Sequence, residues 1–281
     1  MISVQNLCFS YTKKSFIKDM NFNVSSSEIF GFLGPSGAGK STLQKILTGL
    51  LTTYMGNVTI LGREVKKQNN EFYENIGVDF EFPSLYEKLT ARENLLFFAS
   101  LYKKHQAIDP LLESVGLLPV ADKKVSDYSK GMKARLNFIK ALLHDPDLLF
   151  LDEPTSGLDP SNARRMKDII LQEKARGKTI LLTTHNMYDA TELCDRVAFI
   201  VDGNLRALDT PRNLIMSRGA AKVRYTYSYN GQEKQTEIPL NQTSKDNILN
   251  QLVQENRLLS IHSSEPTLND IFVELTGRRL Q

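Results

Sequence analysis

The run Gly34-Pro35-Ser36-Gly37-Ala38-Gly39-Lys40-Ser41 fits the pattern G-x-x-x-x-G-K-[ST] at every fixed position. It constrains the fold because its chemistry needs a strand before it and a helix after it. Both are legible. Ile29-Phe30-Gly31-Phe32-Leu33 reads as a buried strand, and Leu43, Ile46, Leu47 and Leu50 recur at helical spacing. Glycines let the backbone wrap a phosphate with successive N–H groups pointing inward. The helix N-terminus adds a dipole that favours anions. In such a loop Lys40 reaches the β- and γ-phosphates, the Ser41 hydroxyl ligates magnesium, and Thr42 follows at the helix start. The plainer reading is a glycine-rich turn before an ordinary helix.

A chain of 281 residues with 41% hydrophobic content has room for one large or two smaller packed domains. The net charge of +3 is too mild to argue for nucleic acid. Two cysteines, Cys8 and Cys194, make no disulfide framework and read as buried thiols in a reducing compartment. No basic segment followed by an apolar run opens the chain, so no signal peptide is expected. No stretch approaches the ~20 apolar residues of a membrane span, so any membrane role needs another chain.

Strand-like runs lie at 2–11, 16–24, 56–61, 76–80, 148–151, 179–183 and 197–201. Helical patterns fill 89–143, 160–176 and 187–194, and Leu95, Leu96, Phe97, Phe98, Leu101 and Tyr102 read as one apolar helix. Strands alternating with helices predict an α/β fold with a mostly parallel sheet covered on both faces, divided in sequence by a helical insertion. A break is expected near 217–221. Beyond it, 223–229 alternates with period two, Asn230-Gly231 signals a hairpin turn, and a strand, a helix (245–255), a strand (258–262) and a last helix (268–275) complete the chain. This predicts a small α+β appendage.

Asp152 and Glu153 follow the apolar run Leu148-Leu149-Phe150-Leu151. At the end of a strand beside a phosphate loop, Asp152 can hold magnesium and Glu153 can orient or deprotonate an attacking water. Alone, the two would read as a solvated acidic pair. The longer run Asp152-Glu153-Pro154-Thr155-Ser156-Gly157-Leu158-Asp159 resembles the second acidic motif and following loop of ABC transporter ATPases. Tyr11 is similar to their adenine-stacking aromatic, although alone it reads as a half-buried strand residue. Tyr128-Ser129-Lys130-Gly131-Met132 is similar to the family signature, usually Leu-Ser-Gly-Gly-Gln. His185, after Thr179-Ile180-Leu181-Leu182-Thr183-Thr184, resembles the family's switch histidine. The likeness covers about residues 1–217.

The resemblance implies a P-loop NTPase core with an N-terminal antiparallel β subdomain and a helical subdomain at about 88–145. Residues 218–281 would form the C-terminal accessory domain. It implies ATP and Mg2+ as ligands, and two copies packed head to tail. One copy would supply the phosphate loop, Asp152, Glu153 and His185; the other would offer Ser129, Lys130 and Gly131 to the γ-phosphate. Asp159 would steer the dimer interface. Read without the family, Ser129 is an ordinary N-cap, Gly131 a helix-start glycine, His185 a surface histidine and Arg135 a helix-surface cation.

The chain departs from the pattern at Glu81 and, within the signature, at Tyr128, Lys130 and Met132, while Ser129 and Gly131 remain. Glu81 stands where the family usually has Gln. A carboxylate still suits magnesium, but it cannot donate a hydrogen bond and it adds negative charge near the γ-phosphate. Lantibiotic-immunity ATPases resemble this chain in having Glu there. Lys130 replaces a glycine, and it either adds charge to a partner's γ-phosphate or faces solvent.

Phe82, Leu85, Tyr86, Phe97, Phe98 and Tyr102 are candidates for the groove that, by resemblance, receives a helix of a membrane subunit. The alternative is that most form the insertion's own core. The tail, from Glu265 through Leu268-Asn269-Asp270-Ile271-Phe272 to Arg278, resembles that of drug-exporter ATPases of the daunorubicin-resistance type. Its apolar face (Leu268, Ile271, Phe272, Leu275) is expected to dock on its own copy or on the partner.

The resemblance therefore implies the ATP-hydrolysing subunit of an exporter. It would be cytoplasmic and peripheral on the inner face of the membrane, a homodimer docked on separate permease subunits, with no nucleic-acid partner. The rivals are a regulatory module that holds ATP but hydrolyses it weakly, motivated by Glu81, and a soluble ABC protein of DNA repair or translation. Neither paired cassettes nor heptads nor a basic stripe support the last.

Overall fold

The computed structural model describes residues 1–12, 15–218, 222–264 and 266–277. The expected break at 219–221 and the tail positions Glu265 and Arg278 lie outside them. The chain divides into two units, Met1–Asp209 and Thr210 onward.

In the first unit, β1 (Ile2–Phe9) and β2 (Ile17–Val24) pair antiparallel. Ile2, Val4, Leu7 and Phe9 on one strand and Ile17, Met20, Phe22 and Val24 on the other are buried, the alternation of a sheet with one covered face. β3 (Ile29–Leu33) is buried throughout, as a central parallel strand must be. It leads through the glycine loop into α1 (Lys40–Leu47). β4 (Met55–Ile60) and β5 (Arg63–Glu64) complete a four-stranded sheet in the order β2-β1-β4-β5, antiparallel throughout.

α2 (Asn70–Glu74), capped by the Asn69 side chain, leads to β6 (Ile76–Asp79). The helical insertion comes next as α3 (Ala91–Ala99), α4 (Ile108–Ser114) and α5 (Lys130–Leu142). A reciprocal capping box between Thr90 and Glu93 starts α3. The chain then returns to the core as β7 (Leu148–Asp152), α6 (Pro160–Ala175), β8 (Thr179–Thr184), α7 (Met187–Leu193), β9 (Arg196–Val201) and β10 (Asn204–Asp209). The second sheet runs β10-β9-β3-β8-β7-β6, and every pairing except β10–β9 is parallel.

Register positions the site. β8 lies between β3 and β7, with Thr184 level with Leu33 and Thr183 level with Asp152. The residues just past these three strands, Gly34, Glu153 and His185, therefore leave the sheet side by side at its carboxyl edge, where open α/β sheets bind ligands.

The second unit begins with α8 (Pro211–Arg218). The sequence pattern places the break after this helix, but α8 packs against α10 (Leu268–Thr276) and belongs to the C-terminal unit. Between them, β11 (Lys222–Tyr229) is flanked by β12 (Gln232–Pro239) and β13 (Leu258–Ser264) in an antiparallel sheet. Asn230 and Gly231 both take positive φ, 53° and 77°, as a tight turn of this kind requires. α9 (Asn247–Gln254) buries Leu249 and Leu252 with Tyr225. Leu268, Ile271 and Phe272 of the tail helix are buried, so its apolar face has a partner, α8, in its own chain.

Several expectations change. α3 ends at Ala99, so Leu101 and Tyr102 lie beyond it, and Leu96 and Phe97 are exposed. Cys194 is buried, but Cys8 is half-buried and accepts a hydrogen bond from the Asp19 amide at 3.2 Å. β10 and α8 are absent from the sequence pattern. β10 is an edge strand without clean alternation, and α8 is short and weakly amphipathic.

Candidate functional site

The loop 34–39 can approach a ligand closely because two of its glycines could not be anything else. A β-carbon on Gly34 would stand 2.2 Å from the Ile200 carbonyl, and Gly39 takes φ 111° where α1 begins. Lys40 is buried and donates from Nζ to the Gly34 and Pro35 carbonyls at 2.6 and 3.2 Å. Burial lowers its pKa, and the nearby Glu153, Asp152 and Glu81 carboxylates oppose that shift. Carboxylates nearby favour the charged ammonium, the form that binds an anion.

One cavity is lined by Ser36, Gly37, Gly39, Lys40, Ser41, Thr42, Glu81, Asp152, Glu153 and His185. Asp152 accepts from Ser41 Oγ at 3.2 Å and from Thr183 Oγ1. Glu153 has φ 53°, a conformation a bulky residue adopts at a cost. Its amide is fixed by the Thr183 carbonyl at 2.9 Å. Its carboxylate accepts from Thr184 Oγ1 at 3.1 Å and stands 2.8 Å from His185 Nδ1. A carboxylate accepts and does not donate, so the shared proton sits on Nδ1.

Ser41 and Asp152 thus present two adjacent hard oxygens, with the Glu81 carboxylate in the same cavity. This donor set fits Mg2+, which takes one or two protein ligands and completes its shell with phosphate oxygens and water. Among the described residues no group of three or more His, Cys, Asp or Glu is arranged to hold a metal.

Other expected residues stand apart from that cavity. Tyr11 lines a neighbouring one with Thr12, Ser15, Phe16 and Gly37. It is 57% exposed, edge-on to Phe9 and Phe16, with its hydroxyl 3.0 Å from Thr42 Oγ1. Ser129 caps α5, accepting from the Met132 amide at 3.2 Å. Gly131 packs on Leu158. Asp159 caps α6, accepting from the Ser161 and Asn162 amides at 3.1 Å. Arg135 is more than a surface cation, since it donates to the Val115 and Gly131 carbonyls. Lys130 lines a cavity with Glu81, Asp152, Glu153 and Ser156 of its own chain, and its ammonium lies over the Gly157 turn. The side chain is exposed there.

Sequence reasoning missed Phe16, Thr183 and Thr184. The two threonines were visible as hydroxyls closing the strand before His185, and Phe16 as an aromatic opening the second strand. Of the groove candidates, Phe98 and Tyr102 line an apolar groove with Leu50, Tyr73, Leu101 and Lys140. Tyr86 packs on Phe97 and Phe98, ring centroids 4.9 and 5.9 Å away, and Phe82 is 79% exposed. These aromatics are therefore not the insertion's buried core.

The model of the ABC transporter family matches residues 17–156. Over its whole length the chain is 50% identical to a fluoroquinolones export ATP-binding protein of Mycobacterium tuberculosis (strain CDC 1551 / Oshkosh), covering 94% of that protein. This chain is an ATPase of the ABC transporter family. The ABC ATPase is also 32% identical to the linearmycin resistance ATP-binding protein of Bacillus subtilis (strain 168), with both chains fully covered. A solved ATP-binding subunit of an ABC transporter superposes on 77% of this ABC ATPase and 92% of its own chain, with a TM-score of 0.72 and 30% identity. No helix among the described residues is long and apolar enough to cross a membrane.

Proposed function

We propose that this ABC ATPase powers an exporter of drug-like compounds by ATP-driven closure of a dimer docked on separate membrane subunits. The observation that carries the reading is the single cavity shared by Lys40, Ser41, Asp152, Glu153 and His185. The export names of its relatives supply the direction and the class of cargo. The same reading puts the protein on the inner face of the membrane, held there by its partners, with the Phe98–Tyr102 groove as the docking surface for a permease helix.

In this mechanism Lys40 and the loop amides hold the β- and γ-phosphates. Ser41 and Asp152, with Glu81, would hold Mg2+, which when bound would offset the phosphate charge that opposes the electron pair of an attacking water. Glu153 orients that water and accepts its proton. His185 steadies Glu153 through Nδ1. Its other ring nitrogen, Nε2, is left to meet the γ-phosphate. Ser129 and Gly131 of a second copy close the other side of the nucleotide with a helix N-terminus. Loss of the γ-phosphate removes the charge that joins the two helix ends, and the dimer opens.

Steady-state hydrolysis by the purified protein tests this. Glu81→Gln is expected to keep ATP affinity and to change kcat less than Glu153→Gln does. Equal loss in both variants would refute this ranking. Absence of turnover in the unaltered protein would favour a regulatory nucleotide-binding module.

A further inference from the structure

The segment that carries Glu81 is held on both sides by one helix. Asn137, buried on α5, donates from Nδ2 to Asp79 Oδ1 and, at 3.2 Å, to the Phe80 carbonyl. One turn further along the same helix, Lys140 Nζ donates to the Ser84 carbonyl at 3.3 Å and lies 4.9 Å from the centre of the Phe98 ring. Asp79 and Phe80 precede Glu81 and Ser84 follows it, so α5 grips the chain before and after this residue. Glu81 itself is exposed and, among the described residues, has neither a hydrogen-bond nor an ion-pair partner. The place from which its side chain reaches the cavity is set by the backbone, and the backbone is held by this grip.

The grip is costly to build. Asp79 is buried in the wall of a cavity that Glu81, Asp152 and Glu153 also line, and Asn137 Oδ1 is buried with no hydrogen-bond partner. Burying a carboxyl group and an amide between a strand and a helix is harder than burying two apolar side chains of the same shape. Stability alone gives no reason for the pair. The geometry points to Asp79, Asn137 and Lys140 as positioning residues for ATP hydrolysis, which set the place of the Glu81 carboxylate relative to Glu153. This rests on the proposed part of Glu81 at the phosphate site.

The test is a mutant cycle on the purified full-length protein. Asn137→Leu keeps the side-chain volume and removes both donated bonds. Lys140→Met keeps the stem on Phe98 and removes the bond to Ser84. Each is expected to lower kcat about 10- to 100-fold, the scale of a catalytic group displaced by an ångström or less. Affinity for a fluorescent ATP analogue should stay within about threefold, because the 34–42 loop is untouched. In a Glu81→Ala background neither substitution should lower kcat further.

Should Asn137→Leu lose its cooperative thermal unfolding, Lys140→Met carries the same comparison. Wild-type kcat in the folded variants, or an equal loss with and without Glu81, would overturn the positioning role. Glu81→Ala with unaltered turnover would instead remove the part of Glu81 on which the proposal rests, and the proposal with it.

Discussion

Glu153→Gln is expected to lower ATP turnover by at least ~10²-fold, the scale of a lost general base, while leaving ATP bound. The amide keeps the size of the side chain and can still accept from Thr184 Oγ1, so the loop should keep its shape. What is lost is the negative charge that draws a water's proton and holds the proton on His185 Nδ1. The positive φ of Glu153 and the bond from its amide to Thr183 show how firmly the backbone is committed to aiming this one side chain. Single-turnover hydrolysis and ATP binding, measured on the same preparation, separate the two effects. Loss of binding together with turnover would mean that Glu153 holds the nucleotide rather than acts on it.

Lys40→Ala should act at the other step. Charge-assisted hydrogen bonds are worth about 1.5–3 kcal/mol each, so ATP affinity is expected to fall about 10- to 100-fold, and hydrolysis at ordinary ATP concentrations with it. Removing the ammonium also leaves Asp152, Glu153 and Glu81 facing one cavity without the cation that offsets them, which repels a polyphosphate further. Titration with a fluorescent ATP analogue measures this directly. Unchanged affinity would show that the loop amides and helix dipole carry the binding alone.

These residues were legible because their chemistry keeps them close in sequence. A phosphate loop must be contiguous, so 34–41 announces itself, and Asp152-Glu153 must end a buried strand. The supports were not legible. Asn137 lies mid-helix among apolar residues, and nothing in the sequence tells a buried amide from one facing solvent. Thr183 and Thr184 looked like ordinary strand residues until register set them beside Asp152 and Glu153. Lys130 could be placed only once the turn at Gly157 was seen beneath it. The same limit hid β10, whose burial does not alternate, and set the domain break after α8 rather than before it. Local pattern reports which face is apolar, not which neighbour covers it.

The central claim is a nucleotide clamped between the 34–42 loop of one copy and the Ser129–Gly131 helix start of another. Sedimentation of Glu153→Gln with ATP and Mg2+ tests it most directly. The account predicts a species of twice the monomer mass that returns to monomer when ADP replaces ATP. A monomer that holds ATP at saturation would contradict it.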